Sequence, residues 1–258
     1  MFNKAFLTLL FAAILFSSCA PVYSPAIYHQ DIVYQPKPTS HDTVKTANYV
    51  SAGFNAFSNS NDLQLAGEFD LSRAYTTKHF NFALGGFGVF GDYGNSNIPK
   101  NDPNYFSDKF FGAFGGRASA DYFIRMGGID FRIIGIEAAY SHEFGSYAGL
   151  RQYLNTQPGY YVDQRINLFT VGLTTEIIFN SRRDNNIQQG FQGFLGTTLG
   201  HNELDNPNSY YSTILSTDPK APDFHNIFGK FSYFIKLKNY FGTVEVGQGV
   251  FLRLGLKF

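Results

Sequence analysis

Three histidines with acidic neighbours are the first residues in this sequence whose types could do chemistry. His142 is followed by Glu143, His201 by Glu203 and Asp205, and His225 is preceded by Asp223. A histidine base oriented by a carboxylate is half of a hydrolytic site. No serine lies in a recognisable nucleophile context, and no HxxxH or comparable spacing offers ligands to a metal. "GFGVFG" sets Gly86, Gly88 and Gly91 at GxGxxG spacing, but "DYGNSNIPKNDPN" follows. A phosphate site would need a helix there, presenting its N-terminal N–H groups. No cofactor is therefore expected. The single cysteine, Cys19, excludes an intramolecular disulfide.

The elements that must position these residues have a period of two. "NDLQLAGEFDLS" puts Leu63, Leu65, Phe69 and Leu71 on one face and Gln64, Glu68 and Asp70 on the other. "FFGAFGGRASADYFI", "RINLFTVGLTTEIIF" and "FGKFSYFIKLK" alternate in the same way. Two segments break phase: "IDFRIIGIEAAYSHEF" near Ile133 and "FNFALGGFGVFG" at Gly85–Gly86. A bulge at each is the expected cause. Strands are predicted at 48–57, 62–73, 78–90, 109–125, 128–144, 165–180, 188–201, 225–238, 240–247 and 249–258, with eight as the fallback count. The longest gaps follow the third, fifth and seventh strands, while "TTK", "MG", "SRRDNNI" and "KN" join the others. Alternate connections of a meander share one end, so long loops cluster at one rim and tight turns at the other. That asymmetry is typical of membrane barrels. No helix is expected in the mature chain.

Composition agrees with strands in lipid. Of 258 residues, 18% are aromatic and only 16% charged, below the roughly 25% of a soluble domain. Lys plus Arg and Asp plus Glu balance at 20 each, which gives nucleic acid no electrostatic footprint. The fold class predicted is all-β, a closed antiparallel up-and-down transmembrane barrel over 48–258, with apolar faces toward lipid. Its interior would then hold Glu68, Asp70, Arg117, Asp121, Asp130, Arg132, Glu176, Arg253 and Lys257. If "MG" is a two-residue turn, Asp121 faces Arg132, and these two are expected to form an interior ion pair. The barrel predicts three functional readings. A structural or recognition barrel works through its long loops; a narrow pore conducts. A rim hydrolase of protease or lipid deacylase type would use His142, His201 or His225. A soluble lipocalin-like binder with the apolar face turned inward is a fourth, and the non-enzymatic membrane reading is preferred.

Residues 1–18, with Lys4 and an apolar run from Ala5 to Phe16, read as a signal peptide. "FSSC" resembles a bacterial lipobox, which makes Cys19 the lipidated first residue of the mature chain. Residues 19–47 carry Pro21, Pro25, Pro36 and Pro38 and no sustained period. They read as an extended periplasmic tether. "VFLRLGLKF", with Leu252, Leu254, Leu256 and the terminal Phe258, resembles the closing-strand signal of bacterial outer-membrane proteins. Together the leader, "CAPVYSP", the tether and the Gly/aromatic strands resemble small outer-membrane β-barrel lipoproteins of the Bacteroidota. The resemblance implies a Gram-negative outer membrane, assembly by the barrel machinery through the C-terminal strand, and outer-membrane lipid as the partner. It also implies a lipid anchor on the periplasmic side, because no acidic stretch follows Cys19. It transfers no ligand and no catalytic residue.

Overall fold

The structure is a computed structural model that describes residues 22–58, 63–95, 100–101, 105–157, 161–181, 187–199 and 227–258. Ten strands form the wall: β2 (Thr46–Ser58), β3 (Leu63–Thr76), β4 (Phe80–Gly94), β5 (Lys109–Met126), β6 (Ile129–Phe144), β8 (Asn167–Asn180), β9 (Ile187–Thr198), β10 (Ile227–Leu237), β11 (Tyr240–Val246) and β12 (Gly249–Lys257). Two short strands, β1 (Val22–Tyr23) and β7 (Tyr161–Val162), pair in parallel apart from them. Each wall strand pairs antiparallel with its neighbours in sequence, and β12 pairs with β2 to close a ten-strand barrel. Closure leaves no edge. Even the last residue is paired, since Phe258 N–H donates to the Asn48 carbonyl and Asn48 N–H to that of Phe258, both at 3.0 Å. In lipid an unpaired backbone group has no water to turn to, so alternation must persist to the chain end.

Side chains sort by the pleat. Phe69, Leu84, Phe114, Ile136, Leu173, Leu195, Leu252 and Leu254 stand outside, Leu254 being 75% exposed, while Glu68, Arg117, Asp121, Arg132 and Glu176 are buried inside. This is the transmembrane arrangement rather than the lipocalin-like one. No described helix is long and apolar enough to cross a membrane. Replacing Leu254 by Arg should therefore cost roughly 2–4 kcal/mol in a bilayer, the penalty for a cation on a barrel's lipid face near mid-membrane. Refolding yield into vesicles, read by heat-modifiable gel migration, would measure it. A yield equal to that of the parent chain would mean that this face does not meet lipid.

The expected bulge in β6 is present: Ile133 and Ile134 both face outward, and pairing with β8 skips from Arg132 to Gly135. The one expected at Gly85–Gly86 is not. β4 pairs without interruption on both sides, and its apolar residues change face because Phe87, Val89 and Tyr93 turn into the barrel. There they join Phe111, Tyr147, Tyr23 and Ile27 in an interior apolar cluster. The two-residue turn lies one residue later than expected, at Gly127–Gly128 rather than Met126–Gly127: Met126 pairs with Ile129, and Gly127 has a φ of 60°, the left-handed value glycine tolerates. One helix escaped the sequence reading. α1 (Ser146–Leu154) lies in the connection after β6 and buries Tyr147, Ala148, Arg151 and Leu154. Its buried stripe contains an arginine, which hides the apolar period.

Candidate functional site

The stretch expected as a free tether runs through the middle of the barrel. Residues 23–39 are almost all buried. At the long-loop end, β1 pairs with β7, and Asp163 N–H donates to the Tyr23 carbonyl at 2.9 Å. A turn follows, with Gln30 N–H donating to the Ile27 carbonyl at 2.8 Å. The chain then descends in extended form to the short-turn end, where the Lys45 carbonyl accepts from Thr76 N–H at 2.8 Å. The composition reading took proline to keep this chain extended and unladdered. It missed what an unladdered backbone needs, which is hydrogen-bond partners from elsewhere.

The wall supplies them from its charged side chains. Arg117 Nε donates to the Asp31 carbonyl at 2.6 Å and Lys230 Nζ to that of Ile32 at 2.5 Å. Tyr34 N–H donates to Glu245 Oε2 at 2.9 Å, while its carbonyl accepts from Arg253 Nη2 at 2.5 Å. Arg132 Nη2 reaches the Pro38 carbonyl at 3.4 Å, and Ser40 N–H donates to Asp130 Oδ2 at 2.6 Å. These ions therefore stand in for a missing strand.

Side chains of the threaded segment complete the network. Lys37 Nζ lies 2.7 Å from Asp121 Oδ2 and 3.8 Å from Glu137 Oε1. The Asp31 carboxylate accepts from Thr170 Oγ1 at 2.8 Å and from Ser141 Oγ at 3.2 Å. The Tyr34 hydroxyl donates to Glu176 Oε1 at 2.9 Å, and its ring stacks on Phe234 with centroids 4.9 Å apart. Arg117 pairs with both Glu68 and Asp70 and lies over the Phe87 ring. At the short-turn mouth Asp42 takes Lys236 at 2.7 Å and Lys257 at 3.4 Å.

All nine lumen residues expected from the sequence face the interior, but the expected Asp121–Arg132 ion pair is corrected. Asp121 is taken by Lys37 and Arg132 by Glu176, at 2.5 Å. The turn at Gly127–Gly128 sets Arg132 opposite Phe123, the bulge then sets Gly135 opposite Asp121, and a Cβ at Gly135 would meet the Asp121 carboxylate at 2.1 Å. The sequence reading also missed Asp31, Tyr34 and Lys37, which have no period to betray them, and Glu137, Lys230, Lys236 and Glu245, which do. One signal was available. The carboxylates read as interior outnumbered the interior cations, so a cation from outside the strands was needed.

The long-loop end is closed by a cap. Arg151 of α1 donates to Glu143 Oε1 at 2.5 Å and to the Arg165 carbonyl at 3.0 Å. The Tyr147 ring stacks on Tyr93 at 4.1 Å, and its hydroxyl donates to the Ser24 carbonyl at 3.0 Å, which latches the threaded segment. Burial, with Tyr93 beside it, pushes the Tyr147 phenol well above its ordinary range, so it stays a neutral donor. A void of about 10 Å³ lies against the segment beside Tyr34 and Arg253, room for about one water. A groove of about 260 Å³ lies at the outer rim, against Leu63, Leu65 and Tyr105.

Solved barrels of outer membranes are similar to this chain. Neisserial surface protein A is 11% identical over 83% of this chain and 98% of its own, with a TM-score of 0.35. An outer membrane channel from Pseudomonas putida F1 is 9% identical over 87% of this chain and 100% of its own, at 0.37. The outer membrane protein OprG from Pseudomonas aeruginosa is 10% identical over 83% and 97%, at 0.34. No protein-family model matches the chain, and no curated protein does. At these identities the likeness reaches no residue of the site.

Of the three rim histidines, His142 alone lies among the described residues. His142 sits on the outer side of β6, its Nδ1 2.8 Å from Asn167 Oδ1 and its ring beside Phe114, while Glu143 points inward to Arg151. Adjacent residues of a strand face opposite ways, so this sequence pair is no acid–base pair. His201 and His225 lie outside the described residues, as does Cys19.

Proposed function

We propose that this chain is a self-sealed outer-membrane barrel whose role is structural or recognition-based, working through the capped long-loop end. The observation that carries the reading is the filled lumen: a buried segment bonded to the wall from Asp31 to Asp42 leaves no path for ions. The short-turn end offers little surface, whereas the other end presents α1, the β1–β7 pair and the loops around them. An outer surface of Phe, Leu, Ile and Val with no strand edge supports residence in lipid. Within this reading Cys19 is the lipidated residue, β12 with Leu252, Leu254, Leu256 and Phe258 is the assembly signal, and the ligand is met outside the cell. Purified full-length protein in planar bilayers should stay electrically silent, and membrane fractions should contain a species that migrates differently before and after boiling. Steady single-channel steps from the full chain would replace this reading with that of a pore.

A further inference from the structure

The path of residues 22–45 fixes where the front of the chain emerges. Asp31 lies against Ser141 and Thr170, near the long-loop ends of β6 and β8. Ser40 lies against Asp130, beside the tight turn at Gly127. Nine steps of nearly extended chain cover about 30 Å at roughly 3.3 Å each, the thickness of a bilayer's hydrocarbon core. The segment therefore crosses the whole membrane inside the wall. Val22 pairs with Tyr161 in the connection after β6, on the side of the long loops, and not at the short-turn end where a periplasmic anchor would need it.

We propose that the barrel delivers its own N-terminus, and the lipid on Cys19, to the outer face of the membrane. Cys19 is three chain steps from Val22, a reach of at most about 11 Å. That is too short to return to the opposite face. The acyl chains would enter the outward leaflet beside the long-loop rim, anchoring the protein by a lipid and a barrel on the same side. An acyl chain has no room to pass a lumen already occupied by this buried segment and its bonds to Arg117, Arg253 and Asp121. The segment must then be enclosed while the wall forms around it. The topology permits this, since β2 follows the segment directly and the β12–β2 seam closes last in sequence. The proposal rests on the reading above for which end faces outward and for the lipid on Cys19.

The test places a protease-cleavable epitope tag at one of three positions in the full chain: between Ala20 and Pro21, in the loop between β9 and β10, or in the turn at Gly127–Gly128. Heat-modifiable migration confirms folding of each. Should the Gly127–Gly128 insertion fail to fold, Asn239→Cys at another turn of that end, read with a membrane-impermeant maleimide against the parent chain, takes its place. Protease added to intact cells should remove the Ala20 tag as completely as the loop tag, and the opposite turn should react only after permeabilisation. An Ala20 tag protected in intact cells, with the loop tag cut, overturns the threaded topology and leaves the sealed barrel standing. A protected loop tag with an accessible Gly127–Gly128 turn overturns the outward orientation, and this inference falls with it.

Discussion

A chain lacking residues 22–39 should conduct ions where the full chain is silent. The ladder of the wall makes no use of that segment, so removal leaves every pairing of the ten wall strands intact and ends only the short β1–β7 pair. What it removes is Lys37, Asp31, the Tyr34 ring and the carbonyls that Arg117, Arg253 and Lys230 now bond. Water would replace them, because the exposed interior is charged and hydroxylic. Among the described residues, buried carboxylates on the wall strands outnumber buried cations: Glu68, Asp121, Asp130, Glu137, Glu143, Glu176 and Glu245 against Arg117, Arg132, Lys230, Lys236 and Arg253. The open form should therefore prefer cations. Bilayer currents under asymmetric salt would show both the opening and its selectivity. Lys37→Ala is the milder companion, expected to give brief openings if the deletion folds poorly. Silence from a deletion variant that still shows heat-modifiable migration would mean that other residues seal the lumen.

Arg132→Ala should be the most destabilising single substitution in the lumen, at about 3–5 kcal/mol, the usual cost of stranding one member of a buried ion pair. Arg132 is fully buried, pairs with Glu176 at 2.5 Å and also holds the Pro38 carbonyl. Its loss leaves the Glu176 carboxylate in a dry interior with only the Tyr34 hydroxyl as donor. Replacing both partners, as Arg132→Met with Glu176→Leu, removes the stranded charge and should recover much of the loss, since paired charges repay their own desolvation only in part. The urea midpoint of the heat-modifiable species reads the difference. A single variant within about 1 kcal/mol of the parent, as for an exposed pair, would show that water reaches Glu176.

Particular strands show how far the pattern could be read. In β3 and β12 each side chain obeys the pleat, so listing alternate residues was enough to name Glu68, Asp70 and Arg253 as interior. β4 misled, because the sequence shows where apolar residues change face but not why. The cause is a second apolar mass inside the barrel, built by Tyr147, Phe106 and Ile27 from distant parts of the chain. The Asp121–Arg132 pair failed for a related reason. Two groups on one face choose partners by distance, and Lys37, 84 residues from Asp121, came closer.

The order of the strands, the sides they face and the uninterrupted closing strand were local matters. A pleat has period two and lipid accepts only apolar side chains, so the sequence alone determined them. The threaded segment, the real partners of its ions and the sealing of the lumen were decided by the tertiary structure. A proline-rich stretch without period has no face of its own. Whether it floats in water or fills a barrel depends on whether charges placed far along the chain converge to satisfy its backbone.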